Sequence, residues 1–204
     1  MSGDGKYHVH YFAGRGLGEI ARIALSEAGV EFEDHRFESL PADLKATTKF
    51  GQVPLLVTPA GDRINQSTAI LRFIGATHGL SGKTALENAE IDQVIEGVND
   101  IRAKYRALPA DAANEERIKF FSTVLPQWLG YFEAILKKTG SGFYVGSNVT
   151  IADLYVYVSF DSVINKTADA QPIDAFPLVK AHLEAIAARP RIAAWIAKRP
   201  VSQW

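Results

Sequence analysis

Hydrophobic and polar positions alternate with period two at the start of the chain and with a period near 3.6 over most of the remainder. Tyr7, Val9 and Tyr11 alternate with His8, His10 and Phe12, which predicts a strand. Gly14 and Gly16 end it. Leu17, Ile20, Ala21, Ala24, Leu25 and Ala28 then share one helical face, and Gly29 stands where a left-handed C-cap is expected. Glu31 to Phe37 reads as a second strand, so strand, helix and strand form a βαβ unit with parallel pairing. After an irregular polar stretch from Pro41 to Lys49, Pro54-Leu-Leu-Val57 predicts a buried strand, Ala60-Gly-Asp62 a turn, and Arg63-Ile-Asn65 a short antiparallel return. Ser67 is placed to cap a helix whose Ile70, Leu71, Phe73 and Ile74 suit packing on a sheet, and which stops before Gly79.

From about residue 84 strand patterning gives way to long helical periodicities. Helices are predicted over Leu86 to Ala107, Glu115 to Thr139, Thr150 to about Asn165, Phe176 to Ala188, and Pro190 to Lys198. Pro126 removes a backbone donor inside the second of these and should kink it. Two domains are expected: residues 1–82, an α/β unit, and residues 83–204, an all-helical bundle.

Composition narrows the chemistry. The 204 residues are 47% hydrophobic and 22% charged, the balance of an ordinary folded protein. Lys and Arg number 22 against 23 Asp and Glu, a net charge of −1, so no field directed at nucleic acid or a membrane surface is expected. No run is long and apolar enough to span a bilayer, and the N-terminal opening lacks a signal-like apolar core; a soluble, cytoplasmic protein is expected. Cysteine is absent, which removes disulfides, thiolate metal sites, Cys-x-x-Cys motifs and cysteine nucleophiles together. Five histidines lie mostly in unrelated elements without a His-x-x-x-His helix, and no metal site is expected. Gly14-Arg-Gly16-Leu-Gly18 has the wrong glycine spacing for a dinucleotide turn.

Three segments carry more information. Tyr11 ends a strand beside a Gly-rich turn, Phe50-Gly-Gln-Val-Pro54 precedes a strand, and Asn65-Gln-Ser67 opens a helix. Pro54 before a buried strand marks an edge or a turn, leaving the Val53 N–H and C=O to pair with an extended peptide. Ser67 at a helix N-terminus brings a hydroxyl, free backbone donors and the positive end of the helix dipole, which suit a carboxylate. The combination fits a small anionic peptide.

Tyr11 to Gly16 (Tyr-Phe-x-x-Arg-Gly), Phe50 to Pro54 and Gln66-Ser67 resemble the N-terminal domain of cytosolic glutathione transferases of the tyrosine type. Thr150-Ile-Ala-Asp153 resembles the capping box of their helical domain. Glu33-Asp-His-Arg36 and Ser147 to Asp153 are most similar to the sigma class, which includes haematopoietic prostaglandin D synthase. The resemblance implies a thioredoxin-like domain (βαβαββα), an all-α domain and a homodimer. Tyr11 would be the catalytic residue, donating its hydroxyl hydrogen to the glutathione thiolate. Moving a thiol from about 8.5 to about 6.5 takes about 2.7 kcal/mol, and one hydrogen bond to a charged acceptor, about 1.5–3 kcal/mol, supplies most of it.

The same resemblance implies that Gln66 and Ser67 grip the γ-glutamyl end of glutathione and that Val53 pairs with its cysteinyl backbone. Pro54 would be the cis proline, Gly51 and Gln52 would line the peptide, and Lys45 would reach the glycyl carboxylate. Asp100 would reach the glutathione of the partner subunit. Two positions depart from the sigma pattern: Leu17 replaces an arginine that supports the thiolate, and Pro41 replaces a tryptophan at the glycyl end. The electrophile is expected in an apolar cleft formed by Gly14, Leu17, Arg102, Tyr105 and Tyr155, with Trp204 in a covering tail. The implied activity is conjugation of glutathione to hydrophobic electrophiles, with peroxide reduction as a second use of the thiolate. A glutathione-dependent prostaglandin-type isomerase, or a glutathione- or ligand-carrying protein without turnover, would fit the same binding residues.

Overall fold

The period-two pattern at residues 7–12 forms strand β1 (Tyr7–Phe12), which buries Tyr7, Val9 and Tyr11 and turns His8, His10 and Phe12 to a more open face. The computed structural model describes residues 5–111, 113–164 and 172–202. Helix α1 (Gly18–Ala28) follows, closed by Gly29 at φ 72, whose N–H reaches the carbonyls of Leu25 and Ser26. Strand β2 (Phe32–Phe37), the short helix α2 (Ala42–Ala46), strands β3 (Leu55–Val57) and β4 (Arg63–Asn65), and helix α3 (Ser67–His78) complete the βαβαββα order. The sheet runs β2-β1-β3-β4, with β2 parallel to β1 and the other pairings antiparallel. Helices α1 and α3 pack together, bringing Ile20, Ile23, Leu25, Ile70, Leu71 and Ile74 into a core with Val9, Leu55 and Leu56, each 0–1% exposed. Each such side chain contributes about 1.5–3 kcal/mol on burial.

The opposite sheet face carries three histidines. His10 is in register with His35, their rings stacked at 4.4 Å and 10°, and His8 Nδ1 lies 2.9 Å from His35 Nε2. Burial, then His35, His8 and Arg63, lowers the His10 imidazole from 6.5 to about 4. Among the described residues no group of three or more metal-ligating side chains is arranged to hold an ion.

Residues 82–188 form a second compact unit. Helix α4 (Ala85–Arg106) begins with a reciprocal cap: Thr84 Oγ1 accepts from the Glu87 N–H, and the Glu87 carboxylate accepts from the Lys83 N–H. The predicted helix over 115–139 is built in three segments: α5 (Glu115–Lys119), a π-helical turn (Phe120–Val124), and α6 (Leu125–Thr139). Pro126 is the reason. It cannot donate to the carbonyl four residues back and its ring crowds that turn, so the wider π turn lies directly before it. Helices α7 (Ile151–Ile164) and α8 (Pro177–Ala187) complete this unit. The start of α7 is held by the buried Asp153, whose carboxylate accepts from the Thr150 N–H at 2.7 Å, the Thr150 hydroxyl at 2.9 Å and the Tyr144 N–H at 2.9 Å. No described helix is long and apolar enough to cross a membrane.

Helix α9 (Pro190–Lys198) packs in the first unit, against α1. The sequence reading grouped it with the preceding helices because periodicity identifies a helix and not its partner. Its partner is fixed by a buried acid: Glu19 Oε1 accepts from Trp195 Nε1 and from Arg199, both at 2.8 Å. Ile192 and Trp195 supply the apolar face.

Candidate active site

Strand register gathers the expected glutathione residues at one end of the sheet. β1 pairs His10 with Leu55, and β3 pairs Leu55 with Asn65. Tyr11 is the next residue of β1, Pro54 directly precedes β3, and Gln66 directly follows β4. Tyr11, the loop before β3 and the start of α3 therefore share one edge of the fold.

Tyr11 is 9% exposed, and its Oη accepts a hydrogen bond from the Leu17 N–H at 3.2 Å. The glycines around Leu17 make this possible. A Cβ on Gly16, which has φ +40, would lie 2.8 Å from Tyr11 Oη, and one on Gly18 would lie 2.5 Å from Tyr11 Cγ. The Gly-Arg-Gly-Leu-Gly run, set aside in the sequence as a poor dinucleotide turn, is the seat of the Tyr11 ring.

The turn is held from beneath by Arg22, which the sequence reading did not single out. Its buried guanidinium donates to the Gly14 carbonyl at 2.8 Å and to Asp34 at 2.7 Å, with Glu19 3.3 Å away. The Arg22 Cζ lies 5.9 Å from the centre of the Tyr11 ring. Arg36, level with Tyr11 on β2, takes the second oxygen of Asp34 at 2.7 Å. A Glu-x-x-Arg pair on an apolar helix face was the available signal for this network.

The peptide loop is equally defined. Val53–Pro54 is a cis peptide bond. No backbone–backbone hydrogen bond outside the strand ladders reaches Val53 among the described residues, which leaves its N–H and C=O for a ligand. Gly51 takes φ +63, and the Lys45 stem lies against it, with Cε 3.3 Å from where a Cβ would stand. Gln66 has φ 72, and its Nε2 donates to Gln52 Oε1 at 3.4 Å. Gln66, and not Ser67, occupies the N-cap of α3, without a side-chain cap bond; Ser67 is the first helical residue. Lys45, Gly51, Gln52, Val53, Pro54, Gln66 and Ser67 are thus brought together.

The residues expected to meet an electrophile divide between the two units. Gly14 and Leu17 belong to the Tyr11 turn. In the second unit Arg102 Nη1 donates to Tyr155 Oη and to Ser159 Oγ, both at 3.3 Å, and Tyr155, 1% exposed, donates to Asn99 Oδ1. Tyr105 lies apart from that network, packed on Phe120 and Phe121 with Arg117 5.8 Å from its ring centre. Asp100 is exposed on α4. Trp204 lies outside the described residues.

The sequence places Asn65 at the end of a return strand and at the head of the Asn65-Gln-Ser67 helix opening, and gives its side chain no partner. Asn65 is 7% exposed, and its side chain bonds to the backbone of the loop on three sides: Oδ1 accepts from the Lys49 N–H at 3.2 Å, and Nδ2 donates to the carbonyls of Gln52 at 3.2 Å and Pro54 at 3.5 Å.

Residues 7–76 match the family model described as glutathione S-transferase, N-terminal domain, and residues 99–199 match that of the C-terminal domain. The chain is 37% identical to a probable glutathione S-transferase 7 of Caenorhabditis elegans over 96% of its own length and 98% of that protein. Among solved structures it resembles prostaglandin synthase D of Nilaparvata lugens, with TM-score 0.86, 32% identity and coverage of 97% and 100% of the two chains. It also resembles a Pi-class glutathione S-transferase of Onchocerca volvulus, with TM-score 0.85, 31% identity and coverage of 98% and 94%. With both domains matched and the relatives covered almost end to end, the chain belongs to the glutathione S-transferase family.

Proposed function

We propose that this transferase activates glutathione through Tyr11, whose hydroxyl donates to the bound thiolate and holds it ready to attack a hydrophobic electrophile. The observation that carries the reading is the Leu17 N–H bonded to Tyr11 Oη. With a lone pair of the oxygen engaged, the phenolic hydrogen is left to point at sulfur, and a hydroxyl that accepts one bond donates a stronger one. The peptide is met along its length by Lys45 at the glycyl carboxylate, Gln52 and the Val53 backbone at the cysteinyl residue, and Gln66 and Ser67 at the γ-glutamyl end. Catalysis is then positioning and thiolate stabilisation. Peroxide reduction would draw on the same thiolate.

The sigma-class reading rests on Glu33 to Arg36 and on Ser147 to Asp153. The likeness to the Nilaparvata lugens prostaglandin synthase favours a second reading, a glutathione-dependent isomerase. Leu17 in place of arginine weighs against that activity. A homodimer in which Asp100 approaches the glutathione of the partner subunit belongs to the same proposal, and Phe50, 65% exposed, is an apolar side chain suited to an interface.

Turnover of 1-chloro-2,4-dinitrobenzene by wild type and Tyr11→Phe tests the assignment, and product analysis with a prostaglandin endoperoxide separates the two enzymatic readings. Equal conjugation rates in wild type and Tyr11→Phe would contradict the role given to Tyr11.

A further inference from the structure

We infer that Asn65 is a positioning residue for glutathione: its buried amide fixes the 49–54 loop against the start of α3, and so sets the spacing between the cysteinyl and γ-glutamyl halves of the binding site. The inference rests on the reading that Val53, Gln66 and Ser67 hold glutathione.

No backbone–backbone hydrogen bond outside the strand ladders reaches residues 49–53 among the described residues. A segment of five residues without such bonds has no fixed height above the sheet unless side chains supply it. Asn65 supplies it at three points, the entry (Lys49 N–H), the middle (Gln52 carbonyl) and the exit (Pro54 carbonyl). An amide suits this task because it presents an acceptor and two donors on one rigid plane, so a single side chain can serve N–H and C=O groups together. The adjacent residue completes the connection. Gln66, at φ 72, sends its side chain back to Gln52, so the loop is tied to the end of β4 by Asn65 and to the N-cap of α3 by Gln66. A tripeptide spanning Val53 and Gln66 is sensitive to a loop displacement of about 1 Å. The chemistry at sulfur, held by Tyr11 on another strand, is not.

Loss of the Asn65 donors therefore weakens glutathione binding and leaves the reaction of the bound peptide largely intact. Asn65→Ala removes all three bonds, while the isosteric Asn65→Asp fills the same volume, can still accept from Lys49 and cannot donate to Gln52 or Pro54. For both, the expected result is a rise of about tenfold in KM for glutathione and in its Kd by calorimetry, the scale of one or two hydrogen bonds, with kcat at saturating glutathione and KM for 1-chloro-2,4-dinitrobenzene within about twofold of wild type. A folded Asn65→Asp whose Kd for glutathione stays within about twofold of wild type would overturn the inference. So would failure of both variants to fold, which would make Asn65 a staple of the domain alone. Absence of saturable glutathione binding by wild type would instead overturn the functional reading beneath it.

Discussion

The Leu17 N–H donates to the hydroxyl oxygen of Tyr11 at 3.2 Å, so Leu17 serves the site through its backbone. This changes the meaning of an unusual residue. The sigma-class pattern carries an arginine at this position, whose charge Leu17 lacks, but the backbone donor is independent of side-chain identity. Leu17 has φ −73 and ψ −22, a conformation proline can adopt. Leu17→Pro therefore deletes the donor with little change of φ. It is expected to lower kcat/KM for conjugation about fivefold, the value of one hydrogen bond of about 1 kcal/mol. Leu17→Ala keeps the N–H, and steady-state kinetics should show a clearly smaller loss.

A methyl group at Gly18 would stand 2.5 Å from Tyr11 Cγ and 2.6 Å from its Cβ. The ring has no room to yield without leaving the core, so Gly18→Ala should destabilise the protein by about 1–3 kcal/mol. Activity of the folded fraction should fall with it, because the ring that moves carries the hydroxyl. Chemical denaturation and turnover on the same samples check both halves.

Arg22 joins Asp34, Glu19 and the Gly14 carbonyl in a buried network. Arg22→Ala leaves two acids without this partner and frees the turn, and should cost about 3–5 kcal/mol of stability. Urea unfolding measures it. A loss below 1 kcal/mol would show that Arg36 and Arg199 hold the acids without Arg22.

His10 makes stability depend on pH in a definite window. Its imidazole titrates at about 4 in the folded protein, against an ordinary value of 6.5. Between these values the unfolded chain takes up a proton that the native His10 refuses, so stability falls as pH drops from 6.5 towards 4. Above 6.5 the group contributes no slope. His8, His35 and Arg63, the neighbours that disfavour its charge, are the groups facing it. Melting temperatures of wild type and His10→Gln between pH 7 and 4.5 should diverge, with the variant losing less on acidification.

The βαβ unit, the return strand and the long helices were legible because each shows an apolar period: Tyr7, Val9 and Tyr11 in one case, Ile20, Ala21, Ala24 and Leu25 in another. The residues proposed to hold the peptide were named in the sequence through the family resemblance of three short motifs, and the fold brings those motifs to one edge. What escaped has no period. The Asn65 amide works through backbone groups eleven to sixteen positions away. Gly16 and Gly18 are explained by a ring that only the fold brings to them. Helix α9 advertises an amphipathic face, yet its place beside α1 depends on Glu19, a buried acid 176 residues earlier than Trp195. Pro126 announced a disturbance, and the π turn before it is the form that disturbance takes.

The central claim is that Tyr11 stabilises the glutathione thiolate. The most direct measurement is the ultraviolet difference absorbance of enzyme-bound glutathione as a function of pH, in wild type and Tyr11→Phe. The account predicts that the thiol bound to wild type ionises about two units below the free value of about 8.5, and that Tyr11→Phe returns the midpoint close to that value while glutathione still binds. A bound thiol that ionises at the same low pH in both proteins would contradict it.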